Sequence, residues 1–365
     1  MKKFINCMFI FSFLLLLFLP IIKFNKDGMV SKKENRNLAE LPIMFKNGHF
    51  NLDFFSEYDN YFADRFGGRN KLIAIDNIIQ HAIMKGNYFN EKAVMGKNGW
   101  LFYISEKDGN NLADYRKDNL LTYKELSSFK NKVNETITWC RDNNIPCIFL
   151  ICPNKHSIYP ENYPFDRPDG ITRADQLISV LKSLNAAFVF SRDFIFLQKN
   201  NYNFPLYYET DTHWNQMGAY LSFKELKEKL HVFFKDTPFP DINYKSKISY
   251  NMNNGDLLSM LNLTNLKCTY VNLSPIDLKN DFYIYLKNEG RKGVHTCGKD
   301  TSLPRALVFR DSFFTALEPF VSPLFRETEY LWKYFGEEDK GFVLQYKPDI
   351  IIFECVERHF PSIIK

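Results

Sequence analysis

"YKELSSFKNKVNETITWCRDNNIPCIFLICP", residues 123–153, decides the fold. Its first part has the apolar spacing of an amphipathic helix, and "IPCIFLICP" is a continuous apolar run of strand length bounded by prolines. The same unit repeats in kind: "ITRADQLISVLKSLN" reads as helix and "AAFVFSR" as strand, with "WNQMGAYLSFKELKEKL" as a third helix. Further on, "RALVFRDS" and "KPDIIIFECVER" are strands. Strands apolar on both faces and separated by helices imply an α/β domain with a parallel sheet covered on both sides.

Outward from this core, residues 96–365 are expected to form one such domain, with "GKNGWLFYI" (96–104) as a turn and short strand at its start. The stretch from about 233 to 303 has little period and reads as an insertion or a cluster of long loops. Residues 26–95 read as a polar juxtamembrane linker followed by two amphipathic helices broken at Gly67-Gly68. Phe4–Ile22 is nineteen uncharged residues, long enough at ~1.5 Å per residue to cross a bilayer core. The exit "PIIKFNKDG" has no small-residue cleavage site, so residues 1–25 are expected to be a cytoplasmic tip and uncleaved anchor. The remainder would then lie outside an inner membrane.

Composition narrows the function. Among 365 residues, 45% are hydrophobic and 24% charged, ordinary values for a folded protein. The net charge of +5 is dispersed, without a dense basic block, so nucleic-acid binding is not supported. Seven cysteines show no metal or redox spacing. Cys147 and Cys152 should face opposite ways on one strand, and Cys268 with Cys297 is the pair to test for a disulfide.

In open α/β sheets ligands bind beyond the carboxyl ends of the strands. Arg310-Asp311-Ser312 ends a strand where a helix begins, which would hold Ser312 Oγ near backbone N–H groups suited to an oxyanion. Serine is equally a common helix cap. "DTHW" places Asp211 two residues before His213, so a carboxylate can orient an imidazole that takes a hydroxyl proton. Alternatively, Asp211 or Thr212 caps the helix starting near Trp214, or the pair ligates a metal. Asn154 and Lys155 follow another strand, as candidates for an oxyanion donor and a substrate-carboxylate binder, or as a plain turn. Arg358 follows the last strand as a loop-orienting or substrate-contacting residue, or one half of a surface ion pair.

Taken in order, "ENRNLAELP", "YDNYFADRFGGRN", "GKNGWLFY", "CPNKHSIYPENYP", "DTHWNQMGAY", "VFRDSFF" and "KPDIIIFECVER" behind an amino-terminal anchor resemble the alginate O-acetylation proteins. These are SGNH-hydrolase-like polysaccharide O-acetyltransferases, also called the DHHW family. The resemblance runs from about residue 34 to the end. The Asp/His pair precedes the serine, as in this family and unlike ordinary SGNH hydrolases. Carried onto this sequence, it implies Ser312 as nucleophile, His213 as base and Asp211 as its orienter, with no metal and no cofactor. It implies transfer of acetyl groups to an extracytoplasmic polysaccharide, with the donor supplied by a multi-spanning membrane O-acyltransferase. Arg310, a further candidate for substrate or oxyanion binding, stands where many SGNH enzymes have glycine, and no separate glycine block offers an oxyanion donor. An acetyl esterase on the same glycans, or a non-catalytic glycan-binding scaffold, would use the same fold.

Overall fold

The computed structural model describes residues 89–252 and 293–365 throughout, most of 254–276 and the backbone of 283–288; before residue 89 it describes chiefly 36–46 and 48–68. The chain divides into two compact units, Met1–Tyr88 with Leu258–Thr264, and Phe89–Leu257 with Asn265–Lys365. In the first, the helix Phe54–Arg65 forms where the aromatic spacing predicts one. The second helix expected there falls outside the described residues, as does most of Phe4–Ile22. Among the described residues no helix is long and apolar enough to cross a membrane.

The second unit is built on seven strands: β1 (Cys147–Cys152), β2 (Phe188–Phe190), β3 (Tyr283–Asn288), β4 (Gly293–Gly298), β5 (Arg305–Phe309), β6 (Glu327–Leu331) and β7 (Ile350–Val356). Their order across the sheet is β3-β4-β6-β5-β7-β1-β2. The five strands from β6 to β2 are mutually parallel, whereas β4 pairs antiparallel with both β3 and β6. The antiparallel edge strands replace the long loops, one of the two expectations for this region, the other being an insertion. The same region holds a second antiparallel pair, Tyr244–Met252 with Lys267–Pro275. Tyr244–Met252 is half or fully exposed along its length, so no buried face imposed an apolar alternation on its sequence.

Three main helices cover the sheet: α1 (Tyr123–Asp142), α2 (Arg173–Ser183) and α3 (Gln216–Phe233). α1 and α2 both start in reciprocal capping boxes, Thr122 with Glu125 and Thr172 with Asp175, which satisfy amide groups a helix leaves open at its first turn. Along β7, Ile350, Ile352 and Val356 pack into one apolar cluster with α3, while Ile351, Phe353 and Cys355 pack into another with α1 and α2. A strand buried on both faces has no room for polar alternation, which is why these segments read as unbroken apolar runs. Leu177 and Leu181 of α2 are fully buried, each stabilising the fold by roughly 1.5–3 kcal/mol.

The six described cysteines are free thiols. Cys268 lies on Lys267–Pro275 and Cys297 on β4, in different sheets, so the disulfide singled out for testing does not form. The chain runs from β1 outward to β2, then returns to lay β5, β6 and β7 on the other side. At that reversal the carboxyl ends of β1, β7 and β5 lie side by side. Asn154, Glu357 and Ser312 follow them closely.

Candidate active site

Past the end of β5, Asp311 has extended backbone and caps the short helix Ser312–Ala316, its Oδ1 accepting the Phe313 N–H at 2.9 Å. The cap is therefore the aspartate, and the serine hydroxyl is left free to face elsewhere. It faces His213, whose Nε2 is 2.8 Å from Ser312 Oγ. The other ring nitrogen, Nδ1, is 2.6 Å from Asp211 Oδ1, and the same oxygen accepts the His213 backbone N–H at 3.0 Å.

The DTHW segment is shaped by its own backbone and by the first turn of α3. Tyr208 N–H donates to His213 O at 3.2 Å and Asn215 N–H donates to Leu206 O at 3.0 Å, closing the loop on itself. Asn215, and neither Asp211 nor Thr212, caps α3, accepting from Met217 and Gly218 amides. Releasing Asp211 from capping is what leaves its carboxylate to the imidazole. Gly218 sits so close to this loop that a Cβ would stand 2.4 Å from Leu206 O, so the approach needs glycine. Trp214 donates its indole N–H to Phe313 O at 3.0 Å, tying the loop to the serine turn.

A second acid enters that the sequence reading did not select. Asp256 accepts the Thr212 N–H at 2.8 Å and the Thr212 hydroxyl at 2.5 Å, while its own N–H donates to Asp211 Oδ2 at 3.0 Å. Burial pushes the Asp211 carboxyl upward, but the His213 contact and these amide bonds outweigh it and hold the pKa down to about 2. Burial alone would lower the His213 pKa, yet the hydrogen bond and charge of Asp211 raise it above its ordinary value. Asp256 is raised by burial and by the neighbouring Asp211 charge.

Ligating atoms of Asp211, His213 and Asp256 lie within 4.8 Å of one another, so the metal option weighed from the Asp-x-His pair gains a third ligand here. Each of these carboxylates is already engaged by protein donors, an arrangement suited to fixing an imidazole.

The remaining candidates separate. Asn154 is 2% exposed and both side-chain polar atoms lack a partner, while its backbone N–H donates to Glu357 Oε2 at 2.8 Å. Its carboxamide is thus buried and uncommitted at the same sheet edge as Ser312. Lys155 is not open to a substrate carboxylate: its Nζ donates to the carbonyls of Tyr208, Glu209 and Asp211 at 2.8–3.0 Å. Burial lowers its pKa to about 8, and its work is to hold the loop that carries the dyad. Arg310 is likewise committed, to Glu318 Oε1 at 2.6 Å and Thr315 Oγ1 at 2.9 Å, stacked 4.1 Å from Trp332. Arg358 lies over the rings of Tyr103 and Phe313, with Nε 3.5 Å from Asp108, and its charge works against protonation of His213.

Behind Ser312 runs a polar chain with no signature in the sequence. Tyr334 Oη donates to Asp311 Oδ2 at 3.1 Å and lies 2.9 Å from His359 Nδ1, whose Nε2 is 2.7 Å from Asp108 Oδ1. Asp311 N–H donates to Glu354 Oε2 at 2.8 Å, and burial pushes that glutamate well above the usual carboxylate range. These contacts brace the residue on which the serine turn is capped.

The family described as the SGNH hydrolase-like domain of the acetyltransferase AlgX matches residues 93–277, just over half of the chain. The probable alginate O-acetylase AlgJ of Pseudomonas aeruginosa is 25% identical over 231 residues, 62% of this chain and 53% of that protein. The chain therefore spans about half the length of that relative. Among solved structures, Bacillus cereus PatB1 superimposes with a TM-score of 0.53 at 13% identity, covering 73% of this chain and 96% of that one. A DHHW family protein from Eubacterium siraeum gives 0.50 at 15% identity, covering 75% and 93%. The last two show a shared fold. With the sheet, the match over 93–277 and the order of its motifs, the chain belongs to the SGNH hydrolase-like acetyltransferase family of AlgX.

Proposed function

We propose that this protein is a membrane-anchored, extracytoplasmic O-acetyltransferase that carries an acetyl group on Ser312 to hydroxyls of a cell-surface or exported polysaccharide. The observation that carries the reading is the unbroken line from Asp211 through His213 to Ser312 Oγ, with contacts of 2.6 and 2.8 Å. As Oγ attacks the acetyl carbonyl, His213 Nε2 takes its proton and then gives it to the departing group. In the second half, Nε2 takes the proton of a sugar hydroxyl attacking the acetyl-serine and returns it to Oγ. Asp211 holds the ring in the required tautomer and balances the imidazolium.

Two donors suit the oxyanion. The Ser312 backbone N–H opens the Ser312–Ala316 helix, where a helix offers no internal acceptor, and the Asn154 carboxamide is buried without a partner. Loss of one such donor costs roughly 10²–10³ in kcat, so Asn154→Ala should fall in that range. The apolar run Phe4–Ile22 supports an inner-membrane anchor with the catalytic unit on the periplasmic side, close to a multi-spanning membrane O-acyltransferase that would supply acetyl groups. The AlgJ relative is named for alginate, which makes acidic polysaccharides the first acceptors to try.

The His213 and Asp211 side chains are 28% and 23% exposed. Solvent thus reaches the dyad, and an acetyl esterase acting on the same glycans is the second reading.

The test is to incubate the detergent-solubilised full chain with an activated acetyl ester, with and without an oligosaccharide acceptor, and follow intact mass and products. Acetyl-enzyme that passes its label to sugar and is absent in Ser312→Ala supports transfer; release to water alone supports the esterase. Turnover unchanged in Ser312→Ala removes the nucleophile assignment. A PatB1 structure carries a sulfonyl adduct, so a sulfonyl fluoride provides an independent label for Ser312.

A further inference from the structure

Trp332 stands 51% exposed just beyond the carboxyl end of β6, and from residue 293 to 343 it is the only large hydrophobic side chain left exposed. Its neighbours fix it against the serine turn. The ladder runs past the strand ends, with Arg310 N–H donating to Leu331 O at 3.0 Å. Val308 and Tyr330 pack into the cluster with α3, whereas Phe309 and Leu331 pack into the other, so alternation carried one residue further puts Arg310 and Trp332 on the α3 side. His213 reaches Ser312 from that side, its ring 4.9 Å from that of Phe313 in the same cluster.

The Arg310 guanidinium covers one face of the indole at 4.1 Å and leaves the other to solvent. That guanidinium is 4% exposed and held in place by Glu318 Oε1 at 2.6 Å, Thr315 Oγ1 at 2.9 Å and Asp311 O at 3.2 Å. Asp311 and Thr315 belong to the turn that carries Ser312. A buried ion pair thus holds an exposed ring rigid beside the nucleophile. Trp100 and Trp214, in contrast, are buried, and Trp139 packs against the core. Next to the indole, Lys333 is tied to Glu338 and Asp339 at 3.1 and 2.7 Å, so the surround is polar. A lone ring in a polar surround matches one sugar ring, which has an apolar C–H face and a rim of hydroxyls; a protein partner would call for a broader apolar patch.

We propose that Trp332 is the acceptor platform of this active site: a pyranose ring of the polysaccharide stacks its C–H face on the open face of the indole, which brings a neighbouring hydroxyl to the acetyl-serine. The negative face of the π-system attracts the polarised C–H bonds, and stacking sets the plane of the sugar without reading its charge. Arg310 acts through the indole and is a positioning residue, which gives this arginine a role beside Ser312 although its guanidinium is closed to substrate. The inference rests on the transferase reading of Ser312.

The test is a calorimetric titration of the full-length Ser312→Ala protein in detergent with an alginate hexasaccharide and with cellohexaose, which separates sugar binding from acetyl chemistry. At least one should bind, with an affinity that falls about fivefold to tenfold when Trp332→Ala is added and stays within about twofold in Trp332→Phe. Leu344→Ala, at an exposed apolar residue elsewhere, should leave it unchanged. Saturating sugar should shift the tryptophan emission of Ser312→Ala, and the shift should vanish when Trp332→Phe is added. No binding of either hexasaccharide, binding that Trp332→Ala leaves intact, or an equal loss in the Ala and Phe variants with a lowered melting temperature would each overturn the proposal. Acetyl-enzyme formed on the wild-type chain scores the Ser312 assignment separately, so failure of the one is distinguishable from failure of the other.

Discussion

Trp214 and Phe313 are joined by an indole N–H to carbonyl bond of 3.0 Å, one residue beyond the 2.8 Å contact between His213 and Ser312. Both pairs span the same 99 residues of chain. The tryptophan therefore clamps the His213 loop to the Ser312 turn without touching the imidazole or the hydroxyl. Trp214→Phe keeps most of the apolar volume and leaves a buried carbonyl unpaired, a cost of ~1–3 kcal/mol. With a misplacement of the order of 1 Å, kcat on an activated acetyl ester should fall about 10²-fold; the protein should still melt cooperatively by circular dichroism.

Asp211→Asn should lower kcat by about 10³–10⁴-fold, the scale seen when a triad aspartate loses its charge. The pH profile carries the sign. With His213 as the proposed base, turnover requires the neutral ring, and the rate should rise with pH through an imidazole pKa that Asp211 keeps above its ordinary value. Removing that charge should move the midpoint to lower pH. Asp256→Asn keeps the backbone N–H that reaches the Asp211 carboxylate and alters only the side chain that accepts from Thr212, so it should cost no more than about tenfold. An unchanged midpoint in Asp211→Asn would remove its assigned role.

Lys155→Met should act on stability. Its ammonium satisfies three loop carbonyls, and each one left buried and unpaired costs ~1–3 kcal/mol. Chemical denaturation should show a loss of a few kcal/mol. KM for neutral and acidic oligosaccharides should shift together, because no substrate carboxylate was bound there.

His156, buried between the rings of Tyr115 and Tyr163, should make the fold sensitive to acid. Burial, and then the charges of Arg167 and Arg358, lower its pKa to about 3. Between there and its ordinary 6.5 the unfolded chain binds a proton that the folded chain does not, so stability falls as pH falls through that window. The full difference is at most on the order of 5 kcal/mol. In His156→Phe, the drop in melting temperature from pH 7 to pH 4 should shrink correspondingly.

Tyr334→Phe removes one bond of the brace on Asp311, whose Oδ2 keeps the Val356 N–H, and leaves the Phe313 cap bond in place. It should reduce kcat several-fold with KM unchanged. Loss of the cooperative fold would instead make the tyrosine structural.

The local signals in this sequence determined a great deal: β1, β2, β5 and β7 from continuous apolar runs, and α1 to α3 from helical spacing. They also singled out Asp211, His213 and Ser312, since motif chemistry depends on residues adjacent in the chain. What falls outside that reach has a common cause. β6 is "ETEYL", whose glutamates are tolerated because Arg305 and His295 from neighbouring strands pair with them. No local periodicity records such partners. The antiparallel edge strands, the capping of α3 by Asn215, and the employment of Lys155 and Arg310 inside the fold were likewise settled only by what packs against them. Asp256, Tyr334 and His359 reach the site through contacts spanning 23 to 251 residues. A carboxylate or an ammonium reads the same in sequence whether it faces substrate or backbone. Tertiary structure alone sets its desolvation and its partners, and through them its role.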